Sequence, residues 1–147
     1  MEGIEGHRTS LTAFVIDASI AISWCLDDEA SPATDLLLDR VRESGAGVPS
    51  IWHLEVANVL LQAEQRQRLN FFGTTARFGL LSDLPIKTDQ DTEGRAWREI
   101  IALAGVERLT TYDAAYLELA IRASLPLATL DKALRRSAKR LGVTVLP

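Results

Sequence analysis

The sequence predicts an α/β fold: a three-layer α/β/α sandwich around a central, mainly parallel sheet. Short apolar runs alternate with longer helical stretches along almost the whole chain. The runs are close to continuously hydrophobic, as in strands of a sheet covered on both faces. At 147 residues, with 47% hydrophobic and 24% charged residues, the composition is that of one globular domain. That domain is expected over residues 13–147, after a flexible N-terminal lead over residues 1–12 that shows no periodicity.

The elements follow in order. AFVI (13–16) reads as a short buried strand running into Asp17, with a helix from Ala18 to about Leu26. Ser31 followed by Pro32 marks the next helix start, and Gly45 its end. AGVP is a second strand, and a long helix is expected from Ser50 to a polar tail near Arg68. FFGTTARFGLLSDL continues as a helix weakened by two glycines. PIKTD is a third strand, and TEGRAWREIIALAG a helix ending at Gly105. TTYDAAYLELAIRAS is a helix, LPLATL a strand, DKALRRSAKRLG a helix and VTVL a closing strand. Right-handed crossovers send all the strand carboxyl ends to one edge, where ligand sites of such sheets lie.

Bulk properties narrow the function. A formal net charge of −4 does not suit a strong nonspecific nucleic-acid binder. The lone Cys25 sits in an apolar run and reads as a core thiol in a reducing compartment. The apolar stretch from Leu11 to Leu26 is interrupted by Asp17 and lacks the flanks of a signal peptide. No segment approaches the ~20 apolar residues of a membrane span. A soluble, cytoplasmic protein without membrane attachment is the expectation.

Four acids carry the chemistry. Asp17 and Asp131 each follow a strand and precede a helix, so each is a helix cap as readily as a site residue. Asp113 lies in the first turn of its helix, three residues after Thr110, where negative charge is favourable. Glu55 differs. On the helical wheel it falls between Ile51 and Val59 beside Trp52, on the apolar side, where an unpaired charge is costly. Asn58 shares its face. Four carboxylates at one sheet edge repel unless a divalent cation neutralises them, and oxygen-only ligands suit Mg²⁺ or Mn²⁺. Such a site suits phosphodiester hydrolysis by an activated water. The hydroxyls of Ser19 and Thr129, each two residues from a strand-end Asp, are either supporting donors or local caps.

Other chemistries lack their residues. His7 and His53 stand apart from any Cys pair, which removes a structural zinc site. Neither a G-x-S-x-G elbow nor a G-x-x-x-x-G-K loop is present. A haloacid-dehalogenase-type site wants an Asp where Ser19 stands.

The segments FVIDASIAISW, VPSIWHLEVANVL, LTTYDAAYLELA and LATLDKAL occur in the order and approximate spacing of PIN-domain proteins. From about Ala13 to Leu146 the chain resembles that family, and most closely its VapC-type toxins of bacterial toxin–antitoxin pairs. The resemblance implies a Rossmann-like sandwich, a Mg²⁺- or Mn²⁺-dependent endoribonuclease, a homodimer and a small cognate antitoxin. It implies an acidic tetrad of Asp17, Glu55, Asp113 and Asp131 as catalytic residues and metal ligands, supported by Ser19, Asn58 and Thr129. Residues 71–105 carry no family motif. The basic residues Lys132, Arg135, Arg136 and Lys139, with Arg140, share one broad helix side. They are candidates for RNA phosphates, or simply a solvated face. The alternative function is a non-catalytic PIN-like module that binds a protein or RNA partner.

Overall fold

The computed structural model describes residues 12–147, so the expected N-terminal lead lies, but for Thr12, outside the described residues. Strand β1 (Phe14–Ile16) leads into α1 (Ala18–Cys25), a 3₁₀ turn (Asp27–Glu29) and α2 (Pro32–Ser44). Then come β2 (Ala46–Val48), α3 (Trp52–Gln65), α4 (Phe71–Ser82) and β3 (Ile86–Thr88). A broken helix follows: α5 (Thr92–Arg95), a π-helical turn (Ala96–Ile100) and α6 (Ile101–Glu107). Helix α7 (Thr111–Ala123), β4 (Leu127–Ala128), α8 (Lys132–Arg140) and β5 (Val145–Leu146) complete the chain.

All strand pairs are parallel, in the order β3-β2-β1-β4-β5. The chain builds the sheet outward from β1 in one direction and returns to build the other side from β4. Strand order therefore reverses between β1 and β4, and a crevice opens at their carboxyl ends. The three residues of β1 are fully buried, because helices cover both sheet faces. Leu60 of α3, Leu117 of α7 and Leu134 of α8 are likewise inaccessible and pack into the same core.

Local chemistry sets the helix ends. Ser31 and Thr34 form a reciprocal capping box with Pro32 in the first turn of α2, and Gly45 leaves that helix at φ 75°. Asp17 accepts from the Ile20 amide, and Asp131 from the Leu134 amide, so both act as N-caps. Two of the boundaries that differ from expectation have an identifiable cause. Helix α3 starts at Trp52 rather than Ser50, because Pro49, Ser50 and Ile51 form a turn closed by the Trp52 amide on the Pro49 carbonyl. The helix expected to stop at Gly105 runs on to Glu107, with Arg108 leaving it in the left-handed region at φ 57°. Packing outweighs the glycine there: Ile100 and Ala104 bury themselves against Ala114 and Ala115 of α7.

Polar ties hold the periphery. Arg122 of α7 grips Asp89 with two hydrogen bonds of 2.7 and 3.2 Å, and also pairs with Glu118, which Arg95 shares. Arg135 of α8 donates to the carbonyls of Thr129 (2.8 Å), Leu146 (3.4 Å) and Pro147 (3.2 Å). It thereby fastens β5 beside β4. Hydrogen bonds from a charged donor contribute about 1.5–3 kcal/mol. Arg135→Ala is therefore expected to lower unfolding free energy by about that much, read from the urea midpoint at an unchanged m-value.

Candidate metal centre

The end of β1 and the end of β4 are stitched together by side chains. Asp17, only 5% exposed, accepts from the Ser19 hydroxyl (2.6 Å) and the Ile20 amide (3.2 Å) on Oδ1. Its Oδ2 accepts from the hydroxyl of Thr129, which is fully buried. The same two hydroxyls accept in turn from the loop before α8: Ser19 Oγ from the Leu130 amide and Thr129 Oγ1 from the Asp131 amide, each at 3.0 Å. Ser19 and Thr129 thus hold both acid-bearing loops in register.

Asp113 reaches the site from the first turn of α7, whose N-cap Thr110 accepts from the Asp113 amide (3.0 Å). Glu55 comes from the first turn of α3 and is half-buried rather than sunk in an apolar stripe. Tyr116, one turn beyond Asp113 and almost fully buried, donates its hydroxyl to Glu55 Oε1 at 2.5 Å. Asn58 is exposed and makes no hydrogen bond to Glu55 among the described residues. Tyr116 holds the carboxylate instead. Its position on the face of Asp113 was the sequence signal available for it.

The acids act on one another electrostatically. Burial raises the Asp113 carboxyl to about 6, and the charges of Asp131, Glu55 and Asp17 add to that rise. Burial also raises Asp17, and Asp131 adds to it, against the opposing hydrogen bonds of Ser19, Thr129 and Ile20. Tyr116 is raised by burial and then by its bond to Glu55. None of the ion pairs among the described residues involves Asp17, Glu55, Asp113 or Asp131. Four mutually repelling carboxylates thus share a rim without a basic side chain to compensate them.

A hard divalent cation fits this donor set, which offers carboxylate and hydroxyl oxygens only. Among the described residues no three His, Cys, Asp or Glu side chains close around a single point as a ready-made cage. An open, repelling rim is the arrangement expected of a Mg²⁺-type site that retains several waters. Cys25 takes no part: it is buried, and its thiol is raised by that burial to about 11.

The all-parallel sandwich with acidic side chains at its switch point has the architecture of a Rossmann-like α/β domain, and comparison with known proteins specifies the family. A family model described as PIN domain matches residues 14–140. The chain belongs to the PIN-domain family, whose members are generally nucleases that use divalent metal ions. The crystal structure of PAE2754 from Pyrobaculum aerophilum superposes with a TM-score of 0.69 at 18% identity, covering 93% of this chain and 91% of that one. The likeness is one of fold. Among curated proteins none matches the sequence significantly.

The raised Asp113 sets a pH dependence for the metal-free protein. An acid whose folded pKa lies above its unfolded value stabilises the fold below the unfolded value, and that stability disappears as pH rises through the folded one. Without metal, thermal stability is therefore expected to fall as pH rises from about 4 to about 6, and Asp113→Asn to flatten that fall. Asp17 shifts in the same direction, so a residual slope is expected in the variant.

Proposed function

We propose that this PIN domain is a Mg²⁺- or Mn²⁺-dependent endoribonuclease serving as the toxin of a toxin–antitoxin pair. The observation that carries this reading is the uncompensated carboxylate cluster at the β1/β4 switch point, made of Asp17, Glu55, Asp113 and Asp131. When bound there, a divalent cation would supply charge neutralisation for a polyanionic substrate and acidify a water for attack on a phosphodiester.

The protein's share is positioning. Asp17 is fixed at both oxygens by Ser19, Ile20 and Thr129, so its carboxylate has little freedom to rotate away. Tyr116 holds Glu55 across from it, and the Thr110 cap holds the helix turn that presents Asp113. Asp131, exposed and capping α8, stands on the solvent side of the rim. A phosphate entering from solvent meets the acids in that order of depth, Asp131 before Asp17.

The toxin role follows from the four spaced segments that resemble VapC-type toxins. Exposed apolar side chains support a protein partner: Leu54 and Leu61 on α3, Phe71 and Phe72 at the start of α4, and Trp97, which is 91% exposed on the π turn. A homodimer and a cognate antitoxin are the partners proposed for such surfaces. No helix among the described residues is long and apolar enough to cross a membrane, and the buried free thiol of Cys25 suits a cytoplasmic setting.

Purified protein is expected to cleave RNA with Mg²⁺ or Mn²⁺ and to stop when EDTA is added. Asp17→Asn keeps a competent N-cap residue, so folding should be retained. Its cleavage rate should fall by more than about 100-fold, since even loss of a partner to a metal ligand costs about 10–100-fold. Cleavage at the wild-type rate by a folded Asp17→Asn protein contradicts the assignment.

A further inference from the structure

Helix α8 carries more positive charge than its position in the fold explains. Lys139 and Arg140 lie in its last turn, where cations offset the helix dipole. Arg136 has no such explanation, and Lys139 and Arg140 stand three and four residues from it, at repelling distance. Arg135, by contrast, is occupied by the carbonyls that fasten β5. Arg136 and Lys139 are exposed and pair with no carboxylate among the described residues.

An open groove of about 540 Å³ lies between α8 and the end of α6, lined by Glu107, Arg108, Arg136, Ser137, Lys139 and Arg140. Four cations face one carboxylate there. That carboxylate is already engaged: Glu107 is buried and pairs with Arg140, whose side chain remains 65% exposed. Glu107 therefore fixes one guanidinium at the groove wall rather than neutralising the groove. Arg108 holds a left-handed backbone at φ 57°, a conformation that favours glycine, so a charged side chain is kept there against backbone preference.

Both walls of the groove are continuous in sequence with acid-bearing turns. The turn after Arg108 leads through Thr110 into Asp113, and α8 begins directly after Asp131. Arg136 stands five residues along α8 from Asp131, about 7.5 Å of helix rise. A strand whose scissile phosphate sits at the carboxylates must lead its neighbouring phosphates away from that negative rim, and the walls of this basic groove run along the chain into two of the four acid-bearing turns.

We propose that the groove holds backbone phosphates of the RNA strand next to the scissile bond, with Arg108, Arg136 and Lys139 as phosphate contacts and Arg140 set in place by Glu107. The proposal rests on the ribonuclease reading above. Contacts of this kind position the strand without reading its sequence.

The test is the double variant Arg136→Gln/Lys139→Gln, two exposed positions whose change should leave the thermal midpoint where it is. Affinity for a labelled single-stranded RNA is measured by fluorescence anisotropy at several salt concentrations, in an Asp17→Asn background that suppresses cleavage. Loss of two phosphate contacts should flatten the slope of log K against log salt by about 1.4, at about 0.7 per contact on a single strand. In the otherwise wild-type protein, KM should rise about ten-fold with kcat unchanged, the mark of lost uniform binding. An unchanged slope together with an unchanged KM overturns the groove while leaving the ribonuclease reading intact. A wild-type protein that neither binds nor cleaves RNA with Mn²⁺ overturns both. Unchanged RNA binding with lost affinity for a poly-glutamate peptide assigns the groove to an acidic protein segment and overturns the proposal.

Discussion

The carboxylate of Asp17 is the point on which the acidic edge of the sheet depends. It is a buried acid, and burying it is unfavourable unless its oxygens find donors. Here each oxygen finds one that belongs to more than one element. Ser19 and Thr129 donate to it while accepting from the amides of Leu130 and Asp131, so a single side chain ties the ends of β1 and β4 and the starts of α1 and α8. In a sheet ordered β3-β2-β1-β4-β5 these are the two strands between which the crevice opens. The hydrogen bonds that make the acid tolerable therefore also fix the spacing of the site.

The distribution of arginines reinforces the point. Arg122, Arg95 and Arg68 are paired with acids away from the rim, and Arg135 with backbone carbonyls. The four rim carboxylates are left to one another, and their charges add to the upward shift that burial gives Asp113. A fold that needed only stability would pair or remove such charges, because unpaired buried charge is destabilising. Retaining them in the free protein makes sense if a cation from solution completes the site. Positive charge instead gathers along α8, which begins directly after Asp131.

Much of this was legible in the sequence, for identifiable reasons. The strand–Asp–helix pattern at FVIDASI and LATLDKAL revealed both the sheet and its carboxyl edge, because a short apolar run ended by a capping acid is a local signal. Glu55 is legible as a charge on the apolar side of its helix, although in the structure it is half-buried and lies in the first turn of α3. Tyr116 is not legible in the sequence because a tyrosine among apolar helix residues looks like core, and only the chain's return past α3 brings its hydroxyl to Glu55. The π turn and the helix running past Gly105 were hidden for a similar reason: packing of Ile100 and Ala104 on α7 decides them, and that packing is non-local. The basic residues of α8 were visible as a stripe, but its division into a clamp at Arg135 and a groove at Arg136 and Lys139 depends on where β5 and Glu107 lie.

The central claim is that the rim is a divalent-metal site completed from solution, and isothermal titration with Mn²⁺ near pH 6 tests it most directly. Saturable binding is expected, with protons released as Asp113 ionises and with the heat varying according to the ionisation enthalpy of the buffer. The heat should be lost in the Asp17→Asn/Asp113→Asn double variant. Absence of saturable heat at millimolar Mn²⁺, or undiminished binding by that folded variant, would contradict the account.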